Sequence, residues 1–149
     1  IDTASFSERD IVAKVTFDDR PSVANQQKRQ FRNAINRFVK SVNPSGYTDI
    51  TGGLLQATEF LNEKLVGTKV VLIFSDLAEN LKKGYVRNIP IQLDYFVVVA
   101  LNVTKFGADN IDPRKYLKRL RNWQLRVETG GGSWKVINDL DHIDRIIKG

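Results

Sequence analysis

Cysteine and methionine are absent from the 149 residues and histidine occurs once. Without cysteine there are no disulfides, no thiolate metal sites and no thiol nucleophile, although the compartment is left open. A single histidine excludes a histidine-rich zinc site; His142 sits in Asp139-Leu140-Asp141-His142 and reads as a charged helix start. No apolar run approaches the roughly 20 residues that cross a bilayer, and no signal-peptide pattern is present. Gly130-Gly131-Gly132 forms neither a dinucleotide fingerprint nor a phosphate loop, and no nucleophile elbow occurs. An α/β hydrolase with Asp76 at its catalytic edge therefore ranks last among the readings, and the chain is expected not to be an enzyme. Starting at Ile1 with no methionine is expected of a processed product or of a piece of a longer chain.

What is present is globular. The chain is 42% hydrophobic and 27% charged, with a net charge of +6. Residues 1–149 read as a single domain with enough chain for a substantial core. A basic balance favours nucleic acid, anionic or acidic partners.

The clearest strand is Val70–Phe74, a continuous apolar run expected to be buried on both faces of a parallel sheet. It ends in Ser75-Asp76, which places a carboxylate at the carboxyl edge of the sheet, where open α/β folds bind ligands. Gly46-Tyr47-Thr48-Asp49 precedes the helix leading into that strand, so Thr48 and Asp76 are expected at one edge. Asp49 or Thr51 caps that helix, which runs to about Leu65 with Leu54, Leu55, Thr58, Leu61 and Leu65 inward.

Around this stretch, Asp10–Phe17 reads as a strand, Asp18-Asp19-Arg20-Pro21 as a turn, and Ser22–Asn25 as a short antiparallel return. Gln26–Ser41 is an amphipathic helix. Leu77–Arg87 is expected to hold a short helix and a loop. Tyr95–Leu101 is a second buried strand. Pro113 opens a helix to about Val127 with Tyr116, Leu117, Leu120, Trp123 and Val127 inward. Trp134–Ile137 is a last strand, with Trp134 in the core, and Leu140–Lys148 a last helix. Strands alternating with helices predict an α/β, Rossmann-like three-layer sandwich: a mostly parallel central sheet with an antiparallel edge hairpin.

The Arg9–Phe17 strand, Gly46-Tyr47-Thr48-Asp49, the Lys69–Asp76 strand, and the order of the remaining elements together resemble a von Willebrand factor type A domain. The resemblance implies a non-enzymatic protein-interaction module. Its partner would bind at the carboxyl edge, through an acidic side chain completing the shell of a Mg²⁺ ion in a metal-ion-dependent adhesion site. Thr48 and Asp76 match two of that site's ligands, with Tyr47, Asp49, Ser75, Leu77 and Asn80 on the rim. The chemistry suits magnesium, which takes hard oxygen ligands and keeps several waters. The chain departs from the pattern in lacking the Asp-x-Ser-x-Ser loop: Ala4 and Phe6 stand at the serine positions of Asp2-Thr3-Ala4-Ser5-Phe6. A first strand and helix are accordingly expected upstream of Ile1. Leu77 stands where the family often has glycine.

The alternative is nucleic-acid or polyanion binding through the basic helix faces, with Arg29 and Arg32 on one helix and Arg114, Lys115, Lys118 and Arg121 on another. Clean apolar stripes opposite both faces favour plain solvated surfaces, and no aromatic stacking platform accompanies them.

Overall fold

The computed structural model describes residues 15, 17–41, 48–64, 67–81, 89–101 and 110–138. Six elements lie within them: α1 (Pro21–Ser41), α2 (Ile50–Asn62), β1 (Lys69–Phe74), β2 (Phe96–Leu101), α3 (Pro113–Thr129) and β3 (Ser133–Ile137). The strands form one parallel sheet in the order β1-β2-β3. Lys69 pairs with Phe96 at the start of the first ladder and Leu101 with Ile137 at the end of the second.

Strand alternation divides the core in two. Val71, Phe96, Val98 and Ala100 face α2 and α3, where they meet Leu54, Ile50, Trp123 and Val127. Val70, Leu72, Phe74, Val97, Val99 and Leu101 face α1, where Phe31 and Ile35 pack. Phe38 of α1 adds an edge-on ring contact to Phe74, centroids 6.2 Å apart. The sheet thus has helical cover on both faces. Among the described residues no helix is long and apolar enough to cross a membrane.

Several expectations are corrected. Ser22–Asn25 is not a returning strand but the first turns of α1, and no antiparallel hairpin is seen among the described residues. Proline costs nothing in a helix's first turn, where its missing N–H has no partner to lose. Asp18 folds back on that start, accepting from the Arg20 amide at 2.8 Å, while its own amide donates to Gln27 Oε1 at 2.8 Å. The strand buried on both sides is β2, not β1. β1 lies at an edge of the described sheet with only Val71 fully buried, whereas every β2 position but Val97 is buried. In α3 the inward stripe is Tyr116, Leu120, Trp123 and Val127; Leu117 is 60% exposed. Residues 77–81 contain no helix, and the rest of the expected Leu77–Arg87 segment lies outside the described residues. The Asp10–Phe17 strand (apart from Val15 and Phe17), the Leu140–Lys148 helix, His142, Asp2–Phe6 and Tyr47 lie outside the described residues.

Candidate functional site

The carboxyl edge is built on the six residues that follow β1, Ser75 to Asn80. Ser75 Oγ accepts from the Leu77 amide at 3.0 Å, and Asp76 Oδ1 accepts from the Ala78 amide at 2.9 Å. These two side-chain turns bend the chain sharply enough that Leu77 takes φ 63°, a region that disfavours a branched residue. Burial holds it there: Leu77 is 1% exposed and packs with Ile50, Ala100 and Trp123. The turn's glycine-like geometry therefore exists without the glycine.

Three elements fasten this loop. The loop before α2 pairs with it through an isolated antiparallel bridge: the Thr48 amide donates to the Asn80 carbonyl at 2.8 Å, and the Asn80 amide returns at 2.9 Å. From α3, Arg119 Nε donates to the Asp76 carbonyl at 2.8 Å and Trp123 Nε1 to the Leu77 carbonyl at 3.0 Å. At α2, Glu79 Oε1 accepts from the Thr51 amide at 2.5 Å, and Arg126 Nη1 donates to Thr51 Oγ1 at 2.7 Å. Arg126 also lies 3.8 Å from Glu79 Oε2 and stacks over the Trp123 ring at 5.1 Å. Helix amides, carbonyls and charges are thereby satisfied within one connected set.

Asp49 caps α2, its Oδ1 accepting from the Gly52 amide at 2.8 Å. Gly52 makes the close approach possible, since a Cβ there would lie 2.3 Å from Asp49 Oδ2. With Asp49 and Glu79 both on its first amides, the positive end of the α2 dipole is met by the chain's own carboxylates.

Thr48 and Asp76 are both half-buried on adjoining loops at this edge. Ser75 is half-buried and Asn80 exposed. Asp49 at 5% exposure and Leu77 at 1% are inside, so they shape the rim from beneath and are not on it. As hard oxygen ligands, Thr48 and Asp76 fit magnesium in kind. In number they are two among the described residues, and one Asp76 oxygen already faces an amide, so water or other oxygens would have to complete the ion's shell. Among the described residues no three acidic, histidine or cysteine side chains converge.

Of the basic positions, Arg29, Arg114, Lys115, Lys118 and Arg121 are exposed and Arg32 is half-buried. Arg114 lies against Asp112, Nε to Oδ1 2.8 Å. Arg119 and Arg126, which also fall on the polar side by spacing, instead turn inward to the carboxyl-edge loop. Their role, and that of Glu79, leaves no trace in the sequence beyond two arginines flanking a buried tryptophan. Comparison of the chain with known protein families, with curated proteins and with solved structures finds no match.

Proposed function

We propose that the chain is a non-enzymatic protein-interaction module that takes its partner at the carboxyl edge of the parallel sheet. The observation that carries this reading is the Thr48–Asn80 bridge, which sets the loop before α2 beside the loop after β1. Thr48, Ser75, Asp76 and Asn80 then form one polar surface over a braced base. The ionised groups beneath are engaged: Asp49 and Glu79 cap α2, and Arg119 and Arg126 bond the loop and Thr51. Groups held this way pre-organise a surface, which lowers the cost of ordering it on binding. The Rossmann-like wrapping and the likeness to von Willebrand A domains agree with a partner at this edge, and the fold by itself does not specify the chemistry.

In this reading the platform does not depend on magnesium: the described pair supplies two oxygens and leaves the rest of the ion's shell to other groups. Two measurements test this. In the first, partners captured by the wild-type chain from its source extract are compared with those captured by Asn80→Arg, which covers the rim with a long cation. Loss of the captured partner in the variant, with an unchanged melting curve, is the expected outcome; unchanged capture contradicts the reading. The second is a melt in EDTA, Mg²⁺ and Mn²⁺ beside Asp76→Ala. A ligand bound only by the folded state raises the melting point. The expected curves coincide. A rise with Mg²⁺ that Asp76→Ala removes would show that the ion is held and that residues outside those described complete its shell.

A further inference from the structure

The outward face of α3 is a second surface with its own chemistry. Opposite the Tyr116–Leu120–Trp123–Val127 stripe stand Arg114, Lys118, Arg121 and Leu125, with Leu117 at the border of the stripe, all exposed. Leu117 is 60% and Leu125 50% exposed, and neither belongs to a core cluster. At 3.6 residues per turn, they lie about 40° to either side of Arg121. The helix sequence carries six cations, Arg114, Lys115, Lys118, Arg119, Arg121 and Arg126, against one acid, Glu128 at the far end. Asp112, ahead of the helix, is already bound to Arg114, and Glu128 accepts from Gln124 Nε2.

We infer that this face docks an acidic amphipathic helix of a protein partner, with Leu117 and Leu125 as apolar anchors and Lys118 and Arg121 pairing with its carboxylates. Charge complementarity sets the sign of the partner, and a second copy of a chain carrying +6 is the wrong sign. The leucines set its class. A phosphate backbone rewards cations and gains nothing from leucine, and the aromatic rings of α3 that would stack bases point inward. A bilayer surface calls for an apolar face separated from the cations, whereas Arg121 sits between the two leucines. Arginine is enriched at protein interfaces, and exposed leucines beside it gain by burial there. The inference stands independently of the carboxyl-edge reading.

The test uses the full chain and a synthetic helical peptide of glutamate and leucine about 20 residues long. Polyglutamate of equal length, duplex DNA and phosphatidylserine–phosphatidylcholine vesicles are the comparison ligands. The peptide is expected to bind more tightly than all three. Leu117→Ser with Leu125→Ser, and separately Lys118→Glu with Arg121→Glu, are each expected to weaken it by about tenfold or more. Arg29→Glu on α1 is expected to leave it unchanged. All five positions are exposed, so a melting curve verifies that each variant folds. Tighter binding to polyglutamate, DNA or vesicles, an indifferent leucine variant, equal loss in Arg29→Glu, or no binding of the peptide would each overturn the inference.

Discussion

The two edges of the sheet are closed by different physics. At the amino edge, main chain packs on main chain. The Leu93 amide donates to the Gly130 carbonyl at 2.7 Å, and the Phe96 amide closes a turn on the Leu93 carbonyl at 2.9 Å. Glycine is what permits this approach: a Cβ on Gly130 would lie 2.2 Å from the Ile91 carbonyl oxygen, and Gly131 adopts φ +90°. At the carboxyl edge the bracing comes from side chains reaching across elements, from α3 to the Asp76 loop and from that loop to α2. A backbone closure leaves little to present. A side-chain brace leaves the loop tips outward and ordered, which a binding surface needs. Both edges also hold one strained residue, with opposite settings: Leu77 at φ 63° is buried, and Tyr95 at φ 67° is 81% exposed.

Substitutions that exchange one kind of closure for the other test this contrast. The largest effect is expected from Gly130→Ala, which forces a methyl into a carbonyl oxygen that cannot swing aside: a loss of about 3 kcal/mol in urea denaturation. Glu79→Ala leaves the amide of fully buried Thr51 without its acceptor and removes the acid beside Arg126. It is expected to cost about 2 kcal/mol, with the increase in amide exchange confined to the start of α2 and the Asp76 loop. The strained pair should respond in opposite directions. Leu77→Gly relaxes the backbone but empties a core position, for a net loss of about 2 kcal/mol. Tyr95→Asn relaxes an exposed turn at no packing cost and is expected to gain about 0.5 kcal/mol. A gain in both would show that strain, not burial, dominates at both edges.

The smallest effect concerns pH. The Arg114 side chain bonded to Asp112 holds that carboxyl below its ordinary value near 3.8, and the Arg114 amide and Lys115 act in the same direction. Arg20 does the same to Asp18. A carboxyl whose value falls on folding contributes stability above the unfolded value and loses it as pH falls through the folded one. Melting temperature should therefore decline slightly as acid is added below about pH 4, and Asp112→Asn should flatten that decline.

Local chemistry was the legible part of this fold. The apolar β-branched runs announced β1 and β2; the Asp49–Thr51 stretch and Pro113 announced two helix starts, and Thr48 and Asp76 were placed on loops that do adjoin. What failed to show was whatever depends on distant packing. Ser22–Asn25 is short and polar enough to read as either a return strand or a helix start, and only its continuity with the helix that packs Phe31 and Ile35 on the sheet decides. Leu117 borders the apolar side by spacing, yet it is 60% exposed. Arg119 and Arg126 resemble their solvated neighbours in sequence, and only the position of α3 over the Asp76 loop turns them inward. The burial of β2 instead of β1 likewise follows from strand order, which the residues of either strand do not encode.

One matched pair of variants tests the central claim most directly: Asn80→Arg at the carboxyl edge and Tyr95→Arg at the amino edge, both at exposed positions, compared for capture of the same partner. Capture abolished by Asn80→Arg and retained by Tyr95→Arg, with both proteins folded, is the result expected if the braced edge is the binding surface. Retention with Asn80→Arg and loss with Tyr95→Arg would place the partner on the opposite edge and contradict it.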